Sequence, residues 1–409
     1  MDTLKRANGN WVDREKEIAS FTKYLKEGAH LYLTAPRRTG KTSLLYEVGR
    51  RIGDEVVYLV LDIEDCHAPE DVIVAISVKT RDHRPLWAVT KEVFKNTLSS
   101  LGERVDSISV DEVSVTLRAG LTSDWQPRGS RLIAELAKTD KPIVICLDEL
   151  PVFVNRLMKG AELEINPTRL AQAEAWMFWL RAMNIAHRGK IRFVLCGSIG
   201  LEPVLRQGGL SGTITTFEPF PLDPWDAQTA QSCLWALSAG YNVSFMEGAL
   251  ERIVALLGCC IPHHVQLFFD LLYEDARRRD VVKCSTHDVD RVYKTRMISS
   301  SGHAELSQLE ERLAKVLGRR KMPLALDLLT EAATQGLLTA ETARILARDN
   351  EADLRTATAT LREVLGILEH DGYLVKQDDG YIFLSLLLRD WWKARFEFGY
   401  TPASERGVQ

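Results

Sequence analysis

The chain has 409 residues, of which 45% are hydrophobic and 26% charged, and a formal net charge of −4. This length exceeds what one compact core holds and predicts two or three domains of ordinary globular composition. The mildly acidic balance gives no global reason to expect a nucleic-acid binder, and no run of about 18 uncharged apolar residues offers a membrane span. Seven cysteines, at 66, 146, 196, 233, 259, 260 and 284, sit mostly inside apolar runs without metal-ligand spacing. With no opening signal sequence either, the expectation is a reduced, cytoplasmic protein.

The first 220 residues read as strands alternating with amphipathic stretches, the pattern of an α/β parallel sheet covered by helices on both faces. Strands are expected at 30–34, 55–63, 143–147, 191–196 and 213–217. The first leads straight into Ala35-Pro36-Arg37-Arg38-Thr39-Gly40-Lys41-Thr42-Ser43, which matches G-x-x-x-x-G-K-[ST] except that Ala35 replaces the first glycine. Such a turn is a phosphate cradle. Its backbone N–H groups and those of the following helix point at phosphate oxygens, Lys41 adds a mobile cation, and Thr42 offers a hydroxyl to Mg²⁺. Gly40 supplies unusual φ/ψ and a close approach that a β-branched residue would deny. Arg37 and Arg38 suit a γ-phosphate or a neighbouring subunit, and the favoured reading is that one of them anchors the loop to an acidic side chain.

Between 77 and 130 the pattern blurs. Residues 107–117 alternate like a strand or hairpin arm, and 123–130 are rich in turn formers. Residues 143–147 then form a continuous apolar run, suited to a strand buried on both faces, that ends in Asp148-Glu149. An acidic pair at a strand's C-terminal end lies where ligands of open α/β sheets bind. There Asp148 would hold Mg²⁺, usually through water, and Glu149 would polarise an attacking water. The helix expected over 168–187 carries an apolar patch from Trp176 to Leu180, read as core beside the sheet, with a partner-docking face as the alternative.

From 223 onward helical patterns take over, at 225–237, 246–257, 263–278 and 286–297, a set that would make a helical lid. A polar hinge at 299–302 precedes a helix over 305–317. Residues 323–334, 339–347 and 353–370 read as three helices, 373–376 and 381–384 as a hairpin, and 386–396 as an amphipathic exit helix carrying Trp391 and Trp392. That order is the one of a winged helix. The expected division is a core at 1–222, a lid at 223–300 and a winged helix at 301–409.

With cradle, acidic strand end, lid and winged helix in this order, the chain resembles the archaeal-type ATPase family of the STAND branch of P-loop NTPases, relatives of the AAA+ and origin-recognition ATPases. The likeness rests on residues 35–44, on Leu147-Asp148-Glu149 and on the closing string 381–392, and it spans most of the chain. It implies a Mg²⁺-dependent ATPase that binds ATP and ADP. In relatives a Val-x-Arg-Glu box lies against adenine and ribose. Val12-Asp13-Arg14-Glu15 matches it, and a capped first helix near Asp13 explains the same residues.

Ser198 falls where relatives keep a polar residue that senses the γ-phosphate, and it reads equally as the cap of a helix starting near Leu201. Gly258-Cys259-Cys260-Ile261-Pro262 is similar, with one residue more, to the lid turn whose proline packs on adenine. Plain helix-loop-helix punctuation is the competing view. The next helix offers His263, His264 and Gln266 where AAA+ relatives place a second sensor arginine, so charge stabilisation in cis is not implied. Arg192 and Arg206 are candidates for a finger in trans, or surface arginines. The tandem His263-His264 points its rings to different helix faces, which disfavours a metal.

The resemblance implies a slowly hydrolysing, nucleotide-dependent switch acting on a protein partner or within a homo-oligomer. In relatives the winged helix folds against nucleotide when off and swings away when active. A DNA-binding loader is the alternative, reading a groove with the helix over 353–370 through Arg355, Thr356, Thr358, Thr360 and Arg362. Against it, residues 319–397 hold 11 Lys and Arg but 13 Asp and Glu, and the wing tip is Asp378-Asp379. A scaffold that keeps nucleotide only as structural glue is the third reading.

Overall fold

The computed structural model describes residues 14–121 and 124–406, apart from the side chains of residue 103 and residues 300–307. These residues group into two units: residues 15–34 with 41–221, and Arg14 with 35–40 and the described residues from Leu222 on.

The first unit is built on five strands, β1 Leu31–Thr34, β2 Val57–Asp62, β3 Ile143–Asp148, β4 Ile191–Leu195 and β5 Glu218–Pro221. They lie in the order β2-β3-β4-β1-β5, and every pairing is parallel. All residues of β3 and β4 are buried, as expected of largely apolar strands covered on both faces, Asp148 and Arg192 being the charged exceptions. Since all strands run one way, the C-terminal ends of β1, β3 and β4 share one edge of the sheet.

Three stretches differ from the sequence expectation. Of residues 107–117, all from Val110 on are helical, inside Val110–Leu121, and 107–109 form the turn before it. Val113, Leu117 and Leu121 are buried at four-residue spacing while Val115 is 70% exposed, so the apparent alternation has no buried face to serve. The turn formers of 123–130 lead into the helix Trp125–Leu136, which buries Gly129, Leu132, Ile133 and Leu136; residues 122 and 123 lie outside the described residues. Residues 213–217 are not a strand. Ser211–Ile214 is a 3₁₀ turn, with the Thr213 hydroxyl donating to the Leu210 carbonyl at 2.7 Å, and the strand follows as β5. Its Pro219 and Pro221 are tolerated because β5 is an edge strand.

The helix Pro167–Ala186 shows how the core is filled. Trp176, Met177, Trp179 and Leu180 are buried, Trp125, Trp176 and Trp179 pack with centroids 5.0–5.7 Å apart, and Phe178 alone of the patch turns outward. The core reading of this patch holds. Asn166 caps the helix, its side chain accepting from Thr168 N at 2.9 Å and Arg169 N at 3.3 Å. Asn166→Ala is expected to cost about 1 kcal/mol. A thermal melt should show a midpoint lower by about 2–4 °C, and Asn166→Asp should restore it.

The second unit contains the helices Ala227–Tyr241, Ala249–Leu257, Pro262–Arg279 and Thr286–Val292, with a parallel pair β6 Ser244–Phe245 and β7 Lys283–Cys284. A π-helical turn, Tyr293–Met297, leads to a turn at 298–299. Helical backbone then runs over Ser300–Gln335 and is broken at Gly318, whose φ of 74° only glycine adopts readily. The two expected helices therefore meet at that break. Beyond it come the helices Ala340–Asn350 and Leu354–His370 and an antiparallel sheet ordered β8-β10-β9, from β8 Leu338–Thr339, β9 Leu374–Gln377 and β10 Gly380–Phe383. The helix Leu386–Phe396 follows and buries Trp391 and Trp392, whose indole N–H groups donate to the Met297 carbonyl and to Thr330 Oγ1.

Candidate functional site

In the first unit the cradle's helix, Lys41–Arg51, begins with a buried Lys41, an exposed Thr42 and a half-buried Ser43. Thr42 Oγ1 donates to Asp148 Oδ2 at 2.6 Å. The other oxygen, Oδ1, accepts from Glu149 N at 3.0 Å and from Cys196 Sγ at 2.8 Å. Burial, reinforced by the Asp148 charge, pushes the Cys196 thiol well above its usual range, so it stays protonated and able to donate.

Glu149 adopts a left-handed conformation with φ 63°, at the N-cap of the helix Leu150–Lys159. Its Oε2 accepts from both Ser198 N, at 2.9 Å, and Ser198 Oγ, at 2.8 Å. A side chain at Gly197 would bring its Cβ within 2.6 Å of Pro151 Cδ, so the approach of the β4 exit to Glu149 depends on glycine there. Ser198 is not the cap of the next helix; Gly200 holds that position before Leu201–Gln207. Asp62, at the end of β2 and level with Asp148, adds a third acid at this edge. Burial, and then the neighbouring Asp148, raises its carboxyl.

The loop 35–40 belongs to the second unit. Gly40 has φ 94° and Arg38 φ 66°. Thr39 is buried and its hydroxyl donates to the Pro36 carbonyl at 2.9 Å. Buried Arg14 donates to the Asp223 carbonyl at 2.7 Å and reaches the Thr39 carbonyl at 3.5 Å. Val12, its companion in the expected nucleotide box, lies outside the described residues. Arg38 Nη1 lies 2.5 Å from His263 Nε2, and Arg37 Nη2 and Arg38 Nη2 donate to Gln308 Oε1 at 3.3 and 3.0 Å.

A partly open cleft beside the loop is lined by Pro36, Arg38, Ile261, His264, Asp371 and Tyr373, among others. Pro262 is the buried first residue of its helix, after Ile261 as N-cap, a position where its missing N–H costs nothing. The two histidines diverge: His264 packs edge-on against Trp391 at 5.4 Å while His263 meets Arg38.

Neither remote arginine is placed as a free surface finger. Arg192 is 6% exposed within β4 and burial lowers its guanidinium, and Arg206 pairs with Glu202 at 2.5 Å on its own helix. Sequence reading missed Cys196, Asp62 and Gln308. For the first two a signal existed, since each sits at the C-terminal end of a predicted strand on the edge that carries Asp148; Gln308 offered none.

No protein-family model matches the chain. No curated protein sequence matches it either. In structure it is similar to a Walker-type ATPase of Pyrococcus abyssi, with a TM-score of 0.59 and 18% identity over 93% of this chain and 96% of that one. It is also similar to the Aeropyrum pernix ORC2 protein, solved in ADPNP and ADP complexes, with a TM-score of 0.52 and 13% identity over 94% and 95%. With the five-stranded parallel sheet, these likenesses make the fold an α/β P-loop NTPase fold.

Proposed function

We propose that the chain is an ATP-binding, slowly hydrolysing P-loop ATPase that acts as a nucleotide-dependent conformational switch for a protein partner or its own oligomer. The observation that carries this reading is the 2.6 Å hydrogen bond from Thr42 to Asp148. A cradle hydroxyl and a strand-end carboxylate, 106 residues apart in sequence, become adjacent oxygen donors of the hard kind Mg²⁺ prefers. Thr42 would hold the ion directly and Asp148 through water. Once bound, Mg²⁺ neutralises charge on the β- and γ-phosphates.

The remaining work falls to the chain. Main-chain N–H groups over 36–43 and the Lys41 ammonium bind the phosphates. Glu149 orients the attacking water and takes its proton, while Ser198 fixes where that carboxylate sits. Arg14 and Val12 near the ribose and Pro262 near adenine complete the nucleotide's surroundings in this reading. Membership in the archaeal-type STAND family is supported by the helices and hairpin of 323–384, in winged-helix order, and by the exit helix after them. A switch is supported by the loop's own unit: a methyl on Gly372, next to β9, would approach Pro36 Cβ to 2.9 Å, so that segment sits hard against the cradle. We assign the core, lid and winged helix to 1–222, 223–300 and 301–409, and place the protein in a reducing cytoplasm.

The test is size-exclusion chromatography with light scattering, without nucleotide, with ADP and with a non-hydrolysable ATP analogue, beside phosphate release. A change of mass or elution volume between ADP and the analogue is expected, with turnover of roughly 10⁻⁴–10⁻³ s⁻¹, the range of a switch NTPase without an arginine finger. No nucleotide dependence and no phosphate release would refute the reading. Exposure of Arg355, Thr356, Thr358 and Arg362 on Leu354–His370 favours DNA binding as a second reading. Salt-dependent retention of duplex DNA by the same samples in a gel shift would promote it; the exposed Asp378 and Asp379 predict its absence.

A further inference from the structure

Arg38 is one of six non-glycine residues with positive φ among the described ones, and it sits in the middle of the phosphate loop. Such a conformation persists only where the surroundings over-determine it. Here they do. Its guanidinium reaches the first turn of Pro262–Arg279 through His263 Nε2, and Ser300–Gln335 through Gln308 Oε1. Arg37 shares the same Gln308 oxygen. A donor that meets Nε2 needs it as a lone pair, so His263 carries its ring proton on Nδ1 in this contact. Both contacts therefore use neutral acceptors.

We infer that Arg38 is a phosphate-operated latch: it ties the loop to the helices of His263 and Gln308, and a nucleotide phosphate in the cradle competes with both for its guanidinium. The inference rests on the proposed nucleotide site and adds the means by which occupancy is transmitted. The competition is unequal. Phosphate oxygens are charged and match the guanidinium fork, and such bonds are about twice as strong as those to neutral acceptors. Arg38 also lies only three residues before Lys41 in the sequence, inside the motif assigned to phosphate binding. When the guanidinium turns to phosphate, His263 and Gln308 lose their tie to the loop, and their helices are released from it.

Competition of this kind is reciprocal. Removing the latch from its far side must therefore tighten nucleotide binding. By calorimetry with a non-hydrolysable ATP analogue and Mg²⁺, Gln308→Ala and His263→Ala are expected to bind about 5-fold tighter than wild type, the lower end of ordinary coupling. Arg38→Ala, which removes latch and phosphate ligand together, should bind no tighter, and Gln308→Ala added to it should tighten binding by less than the roughly 5-fold of the single variant, since only the Arg37 contact is left to lose. Hydrogen exchange at residues 308–317 should rise when the analogue is added to wild type and should already be raised in Gln308→Ala. Heat in wild type with no tightening in either far-side variant overturns the latch alone. No heat in wild type overturns the nucleotide reading and the latch with it.

Discussion

Glu149→Gln is expected to leave binding of Mg²⁺-ATP within about twofold of wild type and to cut steady-state phosphate release by about 100-fold or more, the usual weight of a general base. The separation of the two effects follows from the local geometry. Glu149 Oε2 accepts two hydrogen bonds from Ser198, and a glutamine oxygen accepts the same two. The left-handed N-cap conformation is a backbone property that the substitution leaves alone. What changes is basicity, since an amide takes no proton from water. Parallel calorimetry and phosphate-release assays on one preparation decide the matter. Wild-type turnover in the variant would remove Glu149 from the chemistry.

Lys41→Ala should act one step earlier, weakening nucleotide binding by about 100-fold, as expected for a lost hydrogen bond to a charged group worth about 1.5–3 kcal/mol. Because Lys41 is only 8% exposed, alanine also leaves space where its stem is buried, and a general loss of folding would look similar in a binding assay. Lys41→Met separates these outcomes, since it keeps the aliphatic stem and removes the ammonium. Both variants should bind about 100-fold more weakly, and the methionine variant should melt near wild type. A methionine variant that binds normally would show that the cradle works without its cation.

The parts of this protein that could be read ahead of the structure are those whose chemistry is packed into contiguous residues. The glycine-lysine-threonine turn and the Asp148-Glu149 pair each fall within ten positions, and the apolar run of β3 is long enough to declare a strand buried on both faces. Reading failed where a local pattern had two physical meanings. Val113, Val115 and Leu117 alternate, yet only a four-residue spacing extended to Leu121 shows the buried stripe of a helix. Pro219 and Pro221 argue against a strand until β5 is known to lie at an edge. The partners of the site were the least legible. His263 and Gln308 meet Arg38 across 225 and 270 positions of sequence, and nothing local in either residue announces that choice. Cys196 looked like one more core cysteine until its thiol was found on the Asp148 oxygen.

Synthesis runs from the N-terminus, so the phosphate motif leaves the ribosome early while its supports arrive late. Residues 35–40 take their company from His263, Gln308 and the Gly372 segment, and from Arg14, which also donates to the Asp223 carbonyl. A nascent chain that has emitted only the sheet carries every residue of the motif without the framework that shapes it. The shape of residues 35–40 is therefore complete only once residues 263–372 have been added.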